Sequence, residues 1–165
     1  VTVTTRPRRP GEVHGVDYFF IAPETFAELE SRGAFLESVE LHGYRYGTPI
    51  EAVRKALASG QDVLLKIDVQ GARQVRARLP DAVLIFLAPP SLDELIVRLR
   101  QRRTETPEEI ERRIREAYRE MCELPNYDYL IINQPGQIAQ AAEQLRCIIE
   151  AQRRRLGRRP ITLES

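Results

Sequence analysis

From about residue 50 onward, short apolar runs alternate with segments of helical period. The runs are "DVLLKID", "AVLIFL" and "YDYLII". The helical segments between and after them are "QGARQVRARL", "SLDELIVRLRQRR", "TPEEIERRIREAYREMCE" and "QIAQAAEQLRCIIEAQRRR". Capping boxes mark two of the starts, Ser91 with Glu94 and Thr106 with Glu109. "TPIEAVRKALASG" carries a third, Thr48 with Glu51, followed by Pro49 in the first turn and Gly60 as a stop. Short runs with little alternation suit strands buried on both faces of a parallel sheet. The alternation therefore predicts an α/β fold with helices on both faces of that sheet.

The first 48 residues read differently. "VTVTT" and "FLESVEL" alternate like strands, and "PETFAELESRG" is a short helix with Pro23 early and Gly33 past its end. This segment is expected to form a β-rich inserted subdomain. At 165 residues the chain suits one domain with a real core. The net charge of +1 gives no general reason to expect a nucleic-acid or membrane partner. The longest apolar run is too short to span a bilayer. Cys122 and Cys147 have neither metal spacing nor a disulfide framework, which fits a reducing cytoplasm.

Lys55 and Lys66 are the only lysines among 25 basic side chains, so arginine dominates. Arginine suits two-pronged contact with phosphate or carboxylate, although a surface rich in it also follows from genome composition. In "TTRPRRPGEVHGVDY", Arg6 precedes Pro7 and Arg9 precedes Pro10. A residue before proline is held extended, and polyproline II repeats every three residues. Arg6 and Arg9 should then point alike, about 9 Å apart, with Arg8 aimed elsewhere. Such a pair could grip a small dianion; a solvated basic loop would contain the same residues.

In "FLESVEL", Glu37 falls on the strand face shared by Phe35, Val39 and Leu41. A carboxylate on an apolar face needs a partner. The paired N1–H and 2-amino donors of guanine would serve, and adenine has no such pair. A bulge or an arginine bridge would also explain the acid. Tyr44 and Tyr46 share one side of "HGYRYGT", and Tyr18 stands in "GVDY". Each can donate to phosphate or simply pack in a core. Thr48 has two readings, helix N-cap or donor to a base carbonyl.

"TTRPRRPGEVHGVDYFF", "FLESVELHGYRYGTP", "LLKIDVQGARQV", "IFLAPPSLDELIVRLRQRRTET" and "YDYLIINQ" follow one another in an order that resembles the guanylate kinases. The resemblance runs along essentially the whole chain. It implies a P-loop nucleoside-monophosphate-kinase core, a β-rich GMP-binding subdomain and an arginine-bearing helical lid. It implies transfer of the ATP γ-phosphoryl group to GMP, with Mg²⁺ accompanying ATP. On this chain the subdomain would span about residues 4–48, the core 49–100 and 115–165, and the lid 101–114. Arg6, Arg9, Tyr18 and Tyr46 would hold the GMP phosphate. Glu37 and Thr48 would read guanine, with Asp68 close to the nucleotide. Arg102 and Arg113 would reach the transferring phosphates. GMP and ATP are thus the implied partners, with no nucleic acid, no membrane and no protein-bound metal.

The chain also departs from that pattern. No G-x-x-x-x-G-K-[ST] loop occurs in it, since neither lysine follows a glycine. The first, central strand and its P-loop are expected to be absent, as in a truncated guanylate kinase inactive by itself. Lys66 stands where the family usually has an acid, on the same strand face as Asp68, and could pair with it. The lid reads "QRRTE" where glycines normally flank the arginine. The alternative to an enzyme is a non-catalytic guanylate-kinase-like module that binds protein partners, but retention of the GMP contacts favours the enzyme. An arginine-rich nucleic-acid binder has only the tail "RRRLGRR" in its support.

Overall fold

The structure is a computed structural model that describes residues 1–101 and 107–163. It forms two compact units, Val1–Ala82 with Pro160–Ser165, and Val83–Arg159.

The first unit is built on a four-stranded mixed sheet. Its strands are β1 (Val3–Thr4), β2 (Phe19–Phe20), β3 (Phe35–Leu41) and β4 (Tyr44–Pro49), in the order β2-β1-β4-β3. β1 runs parallel to β2 and antiparallel to β4, and β3 and β4 form an antiparallel hairpin. The hairpin turns at His42 and Gly43, with φ of 52° and 78°. Two consecutive positive φ values make the two-residue turn whose twist matches that of paired strands, and glycine adopts one of them without strain. The "VTVTT" strand is therefore shorter than expected, and β2 is an addition.

Helix α1 (Pro23–Ser31) has proline in its first turn, and the chain turns away at Gly33 with φ of 67°. Two hydrophobic clusters form around the sheet. Val3, Phe26 and Phe35 make one, with the Phe26 and Phe35 rings stacked at 4.6 Å. Leu36 makes the other with Val53 of α2 (Ile50–Ala58) and with Val75 and Leu79 of and just after α3 (Val69–Arg78). Ile161 and Leu163 also pack on this second cluster.

Phe35 and Leu36, adjacent on β3, serve opposite clusters, and the β3–β4 register shifts between Phe35 and Glu37. Leu36 is the extra residue of a bulge. This corrects the expectation that Phe35 and Glu37 share a face. Glu37 pairs with Thr48 and Val39 with Tyr46, whereas the Phe35 ring lies over Gly47, the partner of Ser38.

Two further corrections concern the segments around this sheet. Thr48 belongs to β4 and does not cap α2, whose N-cap is Pro49 with no side-chain cap. Its hydroxyl is already committed to Glu37. The run 62–68 joins no ladder among the described residues. It alternates instead: Val63, Leu65 and Ile67 pack on the Leu36 cluster, while Leu64 is 69% exposed. An apolar run predicts extended backbone, but a strand also needs a hydrogen-bonding neighbour.

The second unit holds β5 (Ile85–Ala88) and β6 (Tyr129–Ile132), paired in parallel. The single large parallel sheet expected from the alternation is thus represented, among the described residues, by this pair and the separate mixed sheet. Helices α4 (Leu92–Gln101), α5 (Pro107–Met121) and α6 (Ile138–Arg153) complete the unit. The Ser91 hydroxyl accepts from Glu94 N at 3.1 Å, as its capping box predicts. Thr106 lies outside the described residues. Asp128 accepts from Leu84 N at 2.7 Å, and Arg98 donates to the Asn133 carbonyl at 2.8 Å. These bonds tie the strand ends of the unit together. No helix among the described residues is long and apolar enough to cross a membrane.

Candidate functional site

Strands β3 and β4 bring Glu37 and Thr48 side by side across the hairpin. The Thr48 hydroxyl donates to Glu37 Oε1 at 2.5 Å. Glu37 is only 2% exposed, and its Oε2 is buried with no hydrogen-bond partner among the described residues. Burial pushes the Glu37 carboxyl above its ordinary value; the Thr48 hydroxyl opposes this and the nearby Asp68 charge adds to it. The carboxylate thus has one oxygen committed and one with unmet acceptor capacity.

Asp68 is the N-cap of α3, accepting from Gly71 N at 2.9 Å through Oδ1 and from Gln70 Nε2 at 3.4 Å through Oδ2. Lys66 is exposed. The N-terminus of α3 adds partial positive charge near both acids, which partly offsets their repulsion. Gln74, farther along α3, accepts from Ser38 N at 3.0 Å and donates to Ser38 O at 2.8 Å. Arg78 donates to Phe35 O at 2.6 Å. These bonds hold α3 against the strand that carries Glu37.

The second group lies at the β1 side of the sheet. The chain bends at Arg6, which is 8% exposed, with its guanidinium 5.4 Å from the Tyr18 ring centre and 5.7 Å from that of Phe20. Tyr18 and Tyr46 meet edge to face at 6.1 Å. Arg6 Nη2 donates to Glu12 Oε1 at 2.7 Å, and Nη1 donates to Pro7 O at 2.7 Å. The Glu12 contact raises the Arg6 pKa, against the lowering effect of burial, and Tyr46 raises it further. Glu12 is correspondingly lowered, chiefly by Arg6 and then by the backbone N–H of Arg9.

Arg9 itself is exposed, and it is its N–H that donates to Glu12 Oε2, at 2.8 Å. Arg6 and Arg9 therefore differ in placement, one folded over aromatic rings and the other open to solvent. The alternation that puts Tyr44, Tyr46 and Thr48 on one side of β4 matches their partners Leu41, Val39 and Glu37. Glu12 is the residue that sequence reasoning missed. Its signal was a single acid beside three arginines, which needs no helix or strand to explain it.

Arg113 lies on α5 in the second unit, and Arg102 falls outside the described residues. Among the described residues no group of three or more His, Cys, Asp or Glu is placed to hold a metal ion.

One end of the first unit can thus accept a planar pair of donors, and the other can neutralise a small dianion. Together they have the chemistry of a mononucleotide-binding site. Comparison with known proteins narrows this class. A family model described as Guanylate kinase matches residues 1–152. Guanylate kinase of Streptococcus pneumoniae is 51% identical over 152 residues, covering 92% of this chain and 72% of that protein. Guanylate kinase of Thermus thermophilus is 46% identical over 164 residues, covering 99% of this chain and 74% of the relative. The crystal structure of guanylate kinase from Anaplasma phagocytophilum superposes with a TM-score of 0.80 at 34% identity, over 96% of this chain and 77% of that one. The chain belongs to the guanylate kinase family.

Proposed function

We propose that these residues form the GMP-binding part of a cytoplasmic ATP:GMP phosphotransferase. The buried Glu37–Thr48 pair with its unmet acceptor oxygen carries this reading. Glu37 accepts the N1–H and 2-amino group of guanine, Thr48 orients the carboxylate, and Asp68 stands beside the base. Arg6, Arg9, Tyr18 and Tyr46 hold the 5′-phosphate. Arg102 and Arg113 act on the transferring phosphates. Phosphoryl transfer proceeds mostly by positioning and charge neutralisation, so a site of arginines, tyrosines and acids without a nucleophile suits it. Mg²⁺ enters with ATP. The family's enzymes, not a protein-interaction module, are what the chain resembles over nearly all its length.

Calorimetry on the 165-residue chain tests the reading. GMP should bind and AMP should not. Equal affinity for the two nucleotides would remove Glu37 and Thr48 from base recognition.

A further inference from the structure

Gly71 is the third residue of α3, a position where alanine is ordinarily the better helix former. It is not in a backbone conformation that requires glycine, since it has helical geometry. A Cβ built there would stand 2.8 Å from Glu37 Oε2, 3.3 Å from Glu37 Cδ and 3.2 Å from Ile67 Cβ. The oxygen it would strike is the buried one without a partner, while the other oxygen is held by Thr48. The Glu37 carboxylate has no slack in which to withdraw: Thr48 Oγ1 holds it at 2.5 Å, and α3 is fastened to β3 through Gln74 and Ser38.

We infer that Gly71 is a specificity-determining position, glycine because the Glu37 carboxylate must lie against the first turn of α3 to face a guanine edge. The inference rests on the reading of Glu37 as the guanine acceptor. Gly71 acts through Glu37 and is a positioning residue. Its substitution should disturb recognition of the base and leave recognition of the phosphate alone.

The test uses the full chain and measures binding of GMP, of inosine monophosphate, which lacks the 2-amino group, and of ribose 5-phosphate. Gly71→Ala should lower the GMP-to-inosine-monophosphate affinity ratio by about tenfold, the equivalent of one lost hydrogen bond. Ribose 5-phosphate affinity should stay the same. Adding Glu37→Asp, whose shorter side chain clears the new methyl, should restore part of the ratio. A purely structural role would weaken all three ligands together and would not respond to Glu37→Asp. A ratio unchanged in Gly71→Ala overturns the inference. If Glu37→Gln collapses the ratio in the same experiment, only the role of Gly71 has failed. If Glu37→Gln also leaves it unchanged, or the parent chain binds neither nucleotide, the base-site reading itself has failed and the inference with it. Should Gly71→Ala not fold, recovery of folding on adding Glu37→Asp supports the proposal and its absence overturns it.

Discussion

At the scale of single residues, the site is governed by the surroundings of two carboxylates, burial for Glu37 and the Arg6 guanidinium for Glu12. Glu37 is harder to ionise in the fold than in the unfolded chain, because burial outweighs its bond from Thr48. A carboxyl raised in this way favours the fold while protonated. That contribution is complete below its ordinary value of 4.5 and is lost as pH rises through the folded value. Denaturant midpoints measured across this window should therefore fall with pH more in the parent chain than in Glu37→Gln, where position 37 no longer titrates. Parallel curves would show that Glu37 ionises normally. Glu12 lies on the other side of its ordinary value and acts as a clamp on Arg6. Glu12→Ala should weaken GMP binding, because the Arg6 guanidinium loses the carboxylate that holds it, with guanosine affinity unchanged. Equal losses for nucleotide and nucleoside would place Glu12 outside the phosphate end. Arg9→Lys should cost GMP affinity, because lysine cannot make a two-pronged contact, and Arg8→Lys should be mild. Comparable losses at positions 8 and 9 would remove Arg9 from phosphate binding.

At the scale of elements, the β3–β4 hairpin places both halves of the base site. The bulge at Leu36 is what lets three consecutive residues, Phe35, Leu36 and Glu37, enter two clusters and a polar site. Gly47 makes room for this. A Cβ there would stand 2.8 Å from the Phe35 ring, which is itself stacked on Phe26. Gly47→Ala should destabilise the chain by about 1–3 kcal/mol, the usual cost of overpacking a filled core, read as a shift in denaturant midpoint. A midpoint unchanged by the substitution would mean that the Phe26–Phe35 stack moves freely. The helix stops at Gly33 and Gly60 were legible in the sequence because a positive φ is a local property of the residue. The Thr48 box was misread because a threonine three residues before a glutamate fits a helix cap and a strand end equally well. Only the partner across the hairpin distinguishes the two.

For the whole molecule, the sequence contains the residues proposed for GMP but no phosphate-cradling G-x-x-x-x-G-K-[ST] loop. The chain spans 72–75% of the length of the relatives it matches. The 165 residues as they stand should bind GMP without turning it over. Removing even one preorganised donor from a transferring group costs a factor of about 10²–10³, and these 165 residues contain no such cradle motif. Fusion of a guanylate-kinase strand–P-loop–helix unit ahead of Val1 should restore ADP release with GMP and Mg²⁺-ATP. Turnover by the unfused chain at an ordinary kinase rate, about 1–100 s⁻¹, would mean that other residues bind ATP.

Much of this protein was determined by sequence alone. The α/β class, most helix positions, and the shared side of Tyr44 and Tyr46 follow from periodicities that each segment carries within itself. So does family membership, which several long blocks carry in order. Tertiary structure alone decided the rest. Whether 62–68 finds a strand partner, which way Phe35 turns, and what occupies Thr48 depend on register between segments that local pattern does not specify. The burial of Arg6 beside exposed Arg9 has the same origin. Both precede a proline and look equivalent along the chain, but once the loop closes on the sheet the Arg6 guanidinium meets Tyr18, Phe20 and Glu12, whereas Arg9 reaches Glu12 through its backbone N–H.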